Sequence, residues 1–242
     1  MTAFAREGTL AVRDLGRIPY AEALALQRDL ARRRQTGEAP DTLLLCEHPP
    51  VVTLGRASRP EHLLASREAL ERRGVEVFEI ERGGDVTYHG PGQLVGYPIV
   101  DLRGHGRDLH RYLRALEEAI IRAAAAFGVA AGRVAGKTGV WVDDRKLASI
   151  GIHVSRWVSW HGLAVNVTDE ALPGFELIVP CGLAGVRMTT LTREAGRPVT
   201  LAEAKRALEA AFRATFTLTP AGAAPGGARS PLLPAAAGVQ PS

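Results

Sequence analysis

"TGVWVDDRKLASIGIHVSRWVSWHGLAVNV", residues 138–167, decides the architecture. It divides into three apolar runs, "TGVWV", "KLASIGIHV" and "RWVSWHGLAVNV", separated by the turns "DDR" and "SR". β-Branched and aromatic residues between short polar turns read as successive strands. The runs do not alternate cleanly with polar residues, so they read as interior strands of one sheet.

Outward from this core, helices and strands alternate with no internal repeat. Asp108 caps the helix "LHRYLRALEEAIIRAAAAFG", whose apolar positions 109, 112, 113, 116, 120, 123 and 127 follow a 3.6 period and which Gly128 closes. Before it lie a strand at 93–102 ("QLVGYPIVDL"), a strand at 75–80 ("VEVFEI") and a helix at 61–74 ("EHLLASREALERRG"). "DTLLLCEHPPVVTLG" (41–55) reads as two buried strands around Pro49–Pro50, and 20–37 as an amphipathic helix stopped by Gly37. After the core, "TLAEAKRALEAAFRATF" opens on a capping box of Thr200 and Glu203. These elements predict an α/β (α+β) domain, a central mixed sheet flanked by helices, over residues 1–217, with a smaller C-terminal lobe at about 170–217. Residues 218–242 are Ala, Pro and Gly with almost no charge, and a disordered tail is expected.

Bulk composition narrows the function. The formal charge is +4, with 30 basic residues of which three are lysines. No basic run exceeds "RRR" at 32–34 and none interleaves with aromatics, which argues against nucleic-acid binding. No apolar run is long enough to span a bilayer and the N-terminus lacks a signal-like apolar stretch, so no membrane association is expected. Two cysteines, Cys46 and Cys181, cannot make a disulfide framework, and a reduced cytoplasmic setting is expected. "AAGRVAGKTG" (130–139) has Ala131 where a P-loop needs glycine, and a strand-like run where it needs a helix. The histidine spacings and the absence of C-x-x-C predict no metal site; His105 and His110 flank a helix start and read as exposed. No G-x-S-x-G elbow is present.

Three segments carry candidate chemistry. In "ELIVPCGLAG" Cys181 is either a small core residue or a nucleophile on a turn; Pro180 ends the preceding strand and Gly182 permits a close approach. Cys46, inside "TLLLCEH", reads as core. A nucleophilic thiol needs a nearby cation. Lys146 is a candidate, although a lysine after an Asp-Asp-Arg turn is also an ordinary solvated residue. "RGGDVTYHGPGQLVGYP" (82–98) packs Arg82, Thr87, Tyr88, His89 and Gln93 among five glycines, which reads as a bulge and tight turn or as a loop lying against a ligand. In "SWHGLAVNV" (159–167) His161 and Asn166 flank small residues that leave a groove for an unbranched apolar chain.

Together "RGGDVTYHGPGQLVGYPIVDL", "GVWVDDRKLASIGIHV", "HGLAVNV" and "PCGL" resemble the lipoyl(octanoyl) transferases, or lipoate-protein ligase B family, in order from about residue 10 to about 217. The resemblance implies a biotin/lipoate-ligase-like catalytic fold and no cofactor. It implies transfer of an octanoyl group from octanoyl-acyl carrier protein, through a cysteine thioester, to a lysine of lipoyl domains such as those of 2-oxoacid dehydrogenase E2 subunits and glycine cleavage H protein. Carried over residue by residue, it makes Cys181 the nucleophile and Lys146 its proton partner. Arg82, Gly83, Gly84, Asp85, Val86, Thr87, Tyr88 and His89 become lining of the acyl pocket, with Ser149, Ile150, Gly151, Gly162, Leu163 and Ala164. The nearest alternative on the same fold is an ATP-dependent lipoate or biotin ligase, which needs no cysteine.

Overall fold

The three runs at 138–167 form neighbouring antiparallel strands, and the sheet grows outward from them. A computed structural model describes residues 8–182, 185–216 and 218–220; at Cys181 it describes the backbone and the thiol lies outside the description. In chain order the elements are β1 (Gly8–Arg17), α1 (Tyr20–Thr36), β2 (Asp41–Glu47), β3 (Val51–Leu54), α2 (Arg67–Arg72), β4 (Glu76–Glu79), β5 (Val86–His89), β6 (Gln93–Ile99), α3 (Leu109–Ala125), β7 (Gly132–Val134), β8 (Lys137–Val142), β9 (Arg145–Ser155), β10 (Val158–Asn166), β11 (Arg187–Met188), α4 (Leu191–Ala195), α5 (Leu201–Phe216) and β12 (Leu218–Pro220). The expected tail beyond Pro220 lies outside the described residues.

The main sheet runs β12-β1-β2-β6-β10-β9-β8-β7, with β11 added parallel to β9. It is mixed: β1 pairs parallel with β2 and β12, while β2, β6, β10, β9, β8 and β7 pair antiparallel. A second sheet, β4-β3-β5, stands beside it. Both faces of the main sheet are covered, which explains why "DTLLLCE" lacks polar alternation. Leu43 and Leu45 enter a core under α3 and α5, while Leu44 and Cys46 enter the core under α1. A third core joins β3 and β5 to Phe175, Leu177 and Ile178. Among the described residues no helix is long and apolar enough to cross a membrane.

Several expectations are corrected. The helix at 61–74 shrinks to Arg67–Arg72. Ser66 caps it by accepting from Ala69 N at 3.2 Å, and Leu63 bridges to Ile178 instead of coiling. The strand at 93–102 ends at Ile99, because Asp101 accepts from Arg103 N and starts a 3₁₀ turn at Leu102–His105. The Gly-rich segment 82–92 contains a strand, Val86–His89, paired to β3. His110 is exposed as expected, but His105 is buried, its ring edge-on to Phe216 at 6.1 Å.

Candidate functional site

A cavity of about 340 Å³ opens where β5 and the 82–85 loop meet the middle of β9 and β10. That volume lies at the small end of the range for ligand pockets. Its lining includes twelve of the fourteen expected acyl-pocket residues: Arg82, Gly83, Gly84, Asp85, Thr87, His89, Ser149, Ile150, Gly151, Gly162, Leu163 and Ala164. Val86 and Tyr88 alternate to the other side of β5 and pack with Phe175 in the third core. His161, singled out beside the groove, also lines the cavity, and Tyr20, Val95, Tyr97, Leu113, Gly136, Lys137, Thr138 and Ile152 complete the wall. Sequence reasoning did not nominate these last eight. Tyr20 and Leu113 come from helices far apart in the chain, and nothing local signals their convergence.

Glycines bring the walls together. Gly83 N donates to Ile152 O at 2.8 Å, pinning the loop to β9. A Cβ on Gly151 would lie 2.9 Å from Gly83 O, and one on Gly162 would strike Gly96 O and Pro98 Cδ. The small residues of β10 therefore allow backbone to approach backbone as well as leaving a groove. Arg82 is buried: Nε and Nη2 donate to Thr53 Oγ1 at 3.1 and 3.0 Å, Nη2 to Thr53 O at 2.7 Å, and Nη1 to Gly83 O at 3.1 Å. It fastens the loop to the second sheet and brings positive charge to the cavity wall.

Buried polar groups run from the cavity toward Lys146. His89 Nδ1 donates to Gln93 Oε1 at 2.6 Å, Gln93 Nε2 donates to Asn166 Oδ1 at 2.9 Å, and Asn166 Nδ2 donates to Thr189 O at 3.1 Å. Thr189 N in turn donates to Lys146 O at 3.0 Å. Burial pushes His89 down to about 3, so its ring is neutral. Burial also lowers His161, which sits in β10 with φ of 56° and whose backbone N donates to Gln27 Oε1. A non-glycine residue in that region is strained. His161 Nε2 stands 3.8 Å from Glu81 Oε2, an ion-pair distance too long for a hydrogen bond. Glu81 is held far below the usual carboxylate range by His161, by the Arg28 guanidinium fork and by Trp160 Nε1. Thr87 Oγ1 and His161 Nε2 are buried without a hydrogen-bond partner among the described residues.

Lys146 is 1 % exposed, so it is not a solvated turn residue. Its Nζ lies 5.5 Å from the centre of the Trp141 ring. It crosses Gly139, where an added Cβ would lie 2.9 Å from Lys146 Cε and where φ is 125°. Met188, in the chain that follows Cys181, pairs with Lys146. Cys181 lies in a 3₁₀ turn, Pro180–Gly182. A Cβ on Gly182 would strike Asp85 Oδ2, so this turn abuts a residue of the cavity wall. Cys46 is fully buried, and burial raises its thiol to about 12, which suits a core residue and not a nucleophile.

A family model described as the lipoyl protein ligase A/B catalytic domain matches residues 19–213. Among curated relatives, an octanoyltransferase from Geobacter metallireducens is 52% identical, over 83% of this chain and 91% of its own length. Octanoyltransferases from Geobacter sulfurreducens (55%, covering 82% and 81%) and Chloroflexus aggregans (50%, covering 89% and 98%) are similar to comparable degrees. Among solved structures, lipoate-protein ligase A bound with ATP matches with a TM-score of 0.72 at 19% identity, covering 89% of this chain and 88% of that one. Ta0514, a putative lipoate protein ligase from T. acidophilum, matches at 0.68 and 20% identity, covering 89% and 88%. At those identities the structural likeness is one of fold.

Proposed function

This chain belongs to the lipoyl protein ligase A/B catalytic-domain family, and from that premise we propose that it is an octanoyltransferase working through a Cys181 thioester. The octanoyl group arrives as a thioester on acyl carrier protein and leaves as an amide on a lysine of a lipoyl domain, such as those of 2-oxoacid dehydrogenase E2 subunits or glycine cleavage H protein. The observation that carries the reading is the contact between the Cys181 turn and Asp85, because Asp85 also lines the cavity beneath it. Relatives named octanoyltransferase, identical at half or more of the aligned positions, support the same acyl group.

In the first step the Cys181 sulfur attacks the donor carbonyl, Lys146 takes the thiol proton, and the carrier thiol leaves with a proton returned to it. Exchange between thioesters is nearly isoenergetic, so the step needs no ATP, and amide formation is downhill. A covalent intermediate lets one cavity serve two protein substrates in turn. Thr87 Oγ1 and His161 Nε2 are polar groups available to the bound acyl carbonyl. Roughly six buried methylenes at about 0.8 kcal/mol each supply about 5 kcal/mol of affinity for the chain. Longer acyl chains are rejected by the end of the cavity.

Lysine modification of a purified lipoyl domain tests the reading. Octanoyl-acyl carrier protein without ATP is expected to modify the domain, while octanoate with ATP does not. Modification that requires ATP and free acid would instead make the chain a ligase of the same fold.

A further inference from the structure

The Cys181 turn faces a second group that can move protons. Residues 60–65 and 177–179 are clamped to one another: Val179 N donates to His62 O at 2.8 Å, Leu64 N donates to Leu177 O at 3.0 Å, and Leu63 bridges to Ile178. The two segments therefore hold a fixed spacing. The His62 ring meets Asp85 through Nδ1 and Oδ2 at 2.5 Å, and Asp85 Oδ1 accepts from Val86 N at 2.7 Å. A Cβ on Gly182 would lie 3.0 Å from His62 Cε1, so the imidazole edge rests on the backbone one residue from Cys181. Donation of Nδ1–H to a carboxylate leaves the Nε2 lone pair to accept a proton. His62 is partly exposed, whereas Lys146 is buried.

The two half-reactions place different demands on a base. Loading exchanges one thiol for another inside the site. Transfer brings a lysine from solvent as an ammonium ion, which must lose a proton before its nitrogen can attack. Resting on the Cys181 thioester reading, we propose that His62 is the base for this transfer step and that Asp85 positions it. His62 Nε2 takes one proton from the ε-ammonium, and the freed nitrogen lone pair forms the C–N bond at the acyl carbon. As the tetrahedral adduct collapses the C–S bond breaks and its electron pair stays on sulfur. The second proton of the nitrogen passes to that sulfur, restoring the thiol, and His62 releases its own proton to water.

The test separates the half-reactions by mass spectrometry, using His62→Gln and His62→Ala with the full chain. Both variants are expected to load octanoyl from octanoyl-acyl carrier protein but to transfer it to the lipoyl domain about 10²-fold more slowly, the scale of general-base catalysis. Hydroxylamine, an amine already neutral at pH 7, is expected to discharge the loaded variants at the parent rate; a merely structural defect would slow this too. Transfer within threefold of the parent overturns the inference and leaves the thioester intact. Loss of loading, or slowed hydroxylamine discharge of a variant that does load, makes His62 structural and also overturns it. A parent chain that never loads removes the thioester reading and this inference with it.

Discussion

Gly139 decides how much room Lys146 has. Its φ of 125° and the nearness of Lys146 Cε leave no space for a methyl group. Gly139→Ala is expected to cost about 1–3 kcal/mol through overpacking and backbone strain, and to displace the Lys146 amine. Thermal unfolding measures the first effect, and the rate of octanoyl loading measures the second, which is expected to fall more than tenfold. An unchanged rate would mean that the position of Lys146 does not matter. Lys146 and Cys181 each kept an ordinary structural reading on local sequence, and it was the resemblance of the surrounding motifs that made them candidates. Gly139 was not, since a glycine in "TGVWV" shows its purpose only once β9 lies beside it. His62 was hidden in a segment that read as helix, and its meaning depends on Asp85, 23 positions away.

At the scale of elements, the cavity exists because the 82–85 loop lies flat on β9. Gly151→Ala would push its Cβ to 2.9 Å from Gly83 O and 3.2 Å from Arg82 Cδ. The loop must lift, so KM for the octanoyl donor is expected to rise several-fold with a smaller change in unfolding midpoint. Steady-state kinetics beside a denaturation curve checks this; equal KM would place the loop outside the acyl site. Periodicity identified α1 and α3, and a capping box identified α5; the apolar faces of all three bury directly against the sheet. It failed for residues 61–65, where the apolar spacing suits a helix but backbone pairing with the 177–179 segment prevails. It also missed β5, because glycines on either side of Val86–His89 masked a short buried strand.

For the whole molecule, neutral buried histidines make the fold sensitive to acid. His89 holds out to about 3 in the fold against 6.5 for the free side chain, and burial lowers His48 and His161 as well. The unfolded chain therefore binds these protons first. The stabilisation is complete above about pH 6.5 and declines as pH falls toward 3, by about 1.4 kcal/mol per pH unit for each such proton. Urea unfolding between pH 6.5 and 5 is expected to show that slope, and His89→Gln to reduce it by about one proton; an unreduced slope would mean that His89 is charged in the fold. Two sheets and three cores bring the Cys181 turn, Asp85 and the cavity together, and the account's central claim is that this junction carries the octanoyl group on sulfur. Intact mass after mixing with octanoyl-acyl carrier protein tests it most directly. The account predicts a gain of one octanoyl group on the parent chain and none on Cys181→Ser; an unmodified parent, or the same gain in the variant, would contradict it.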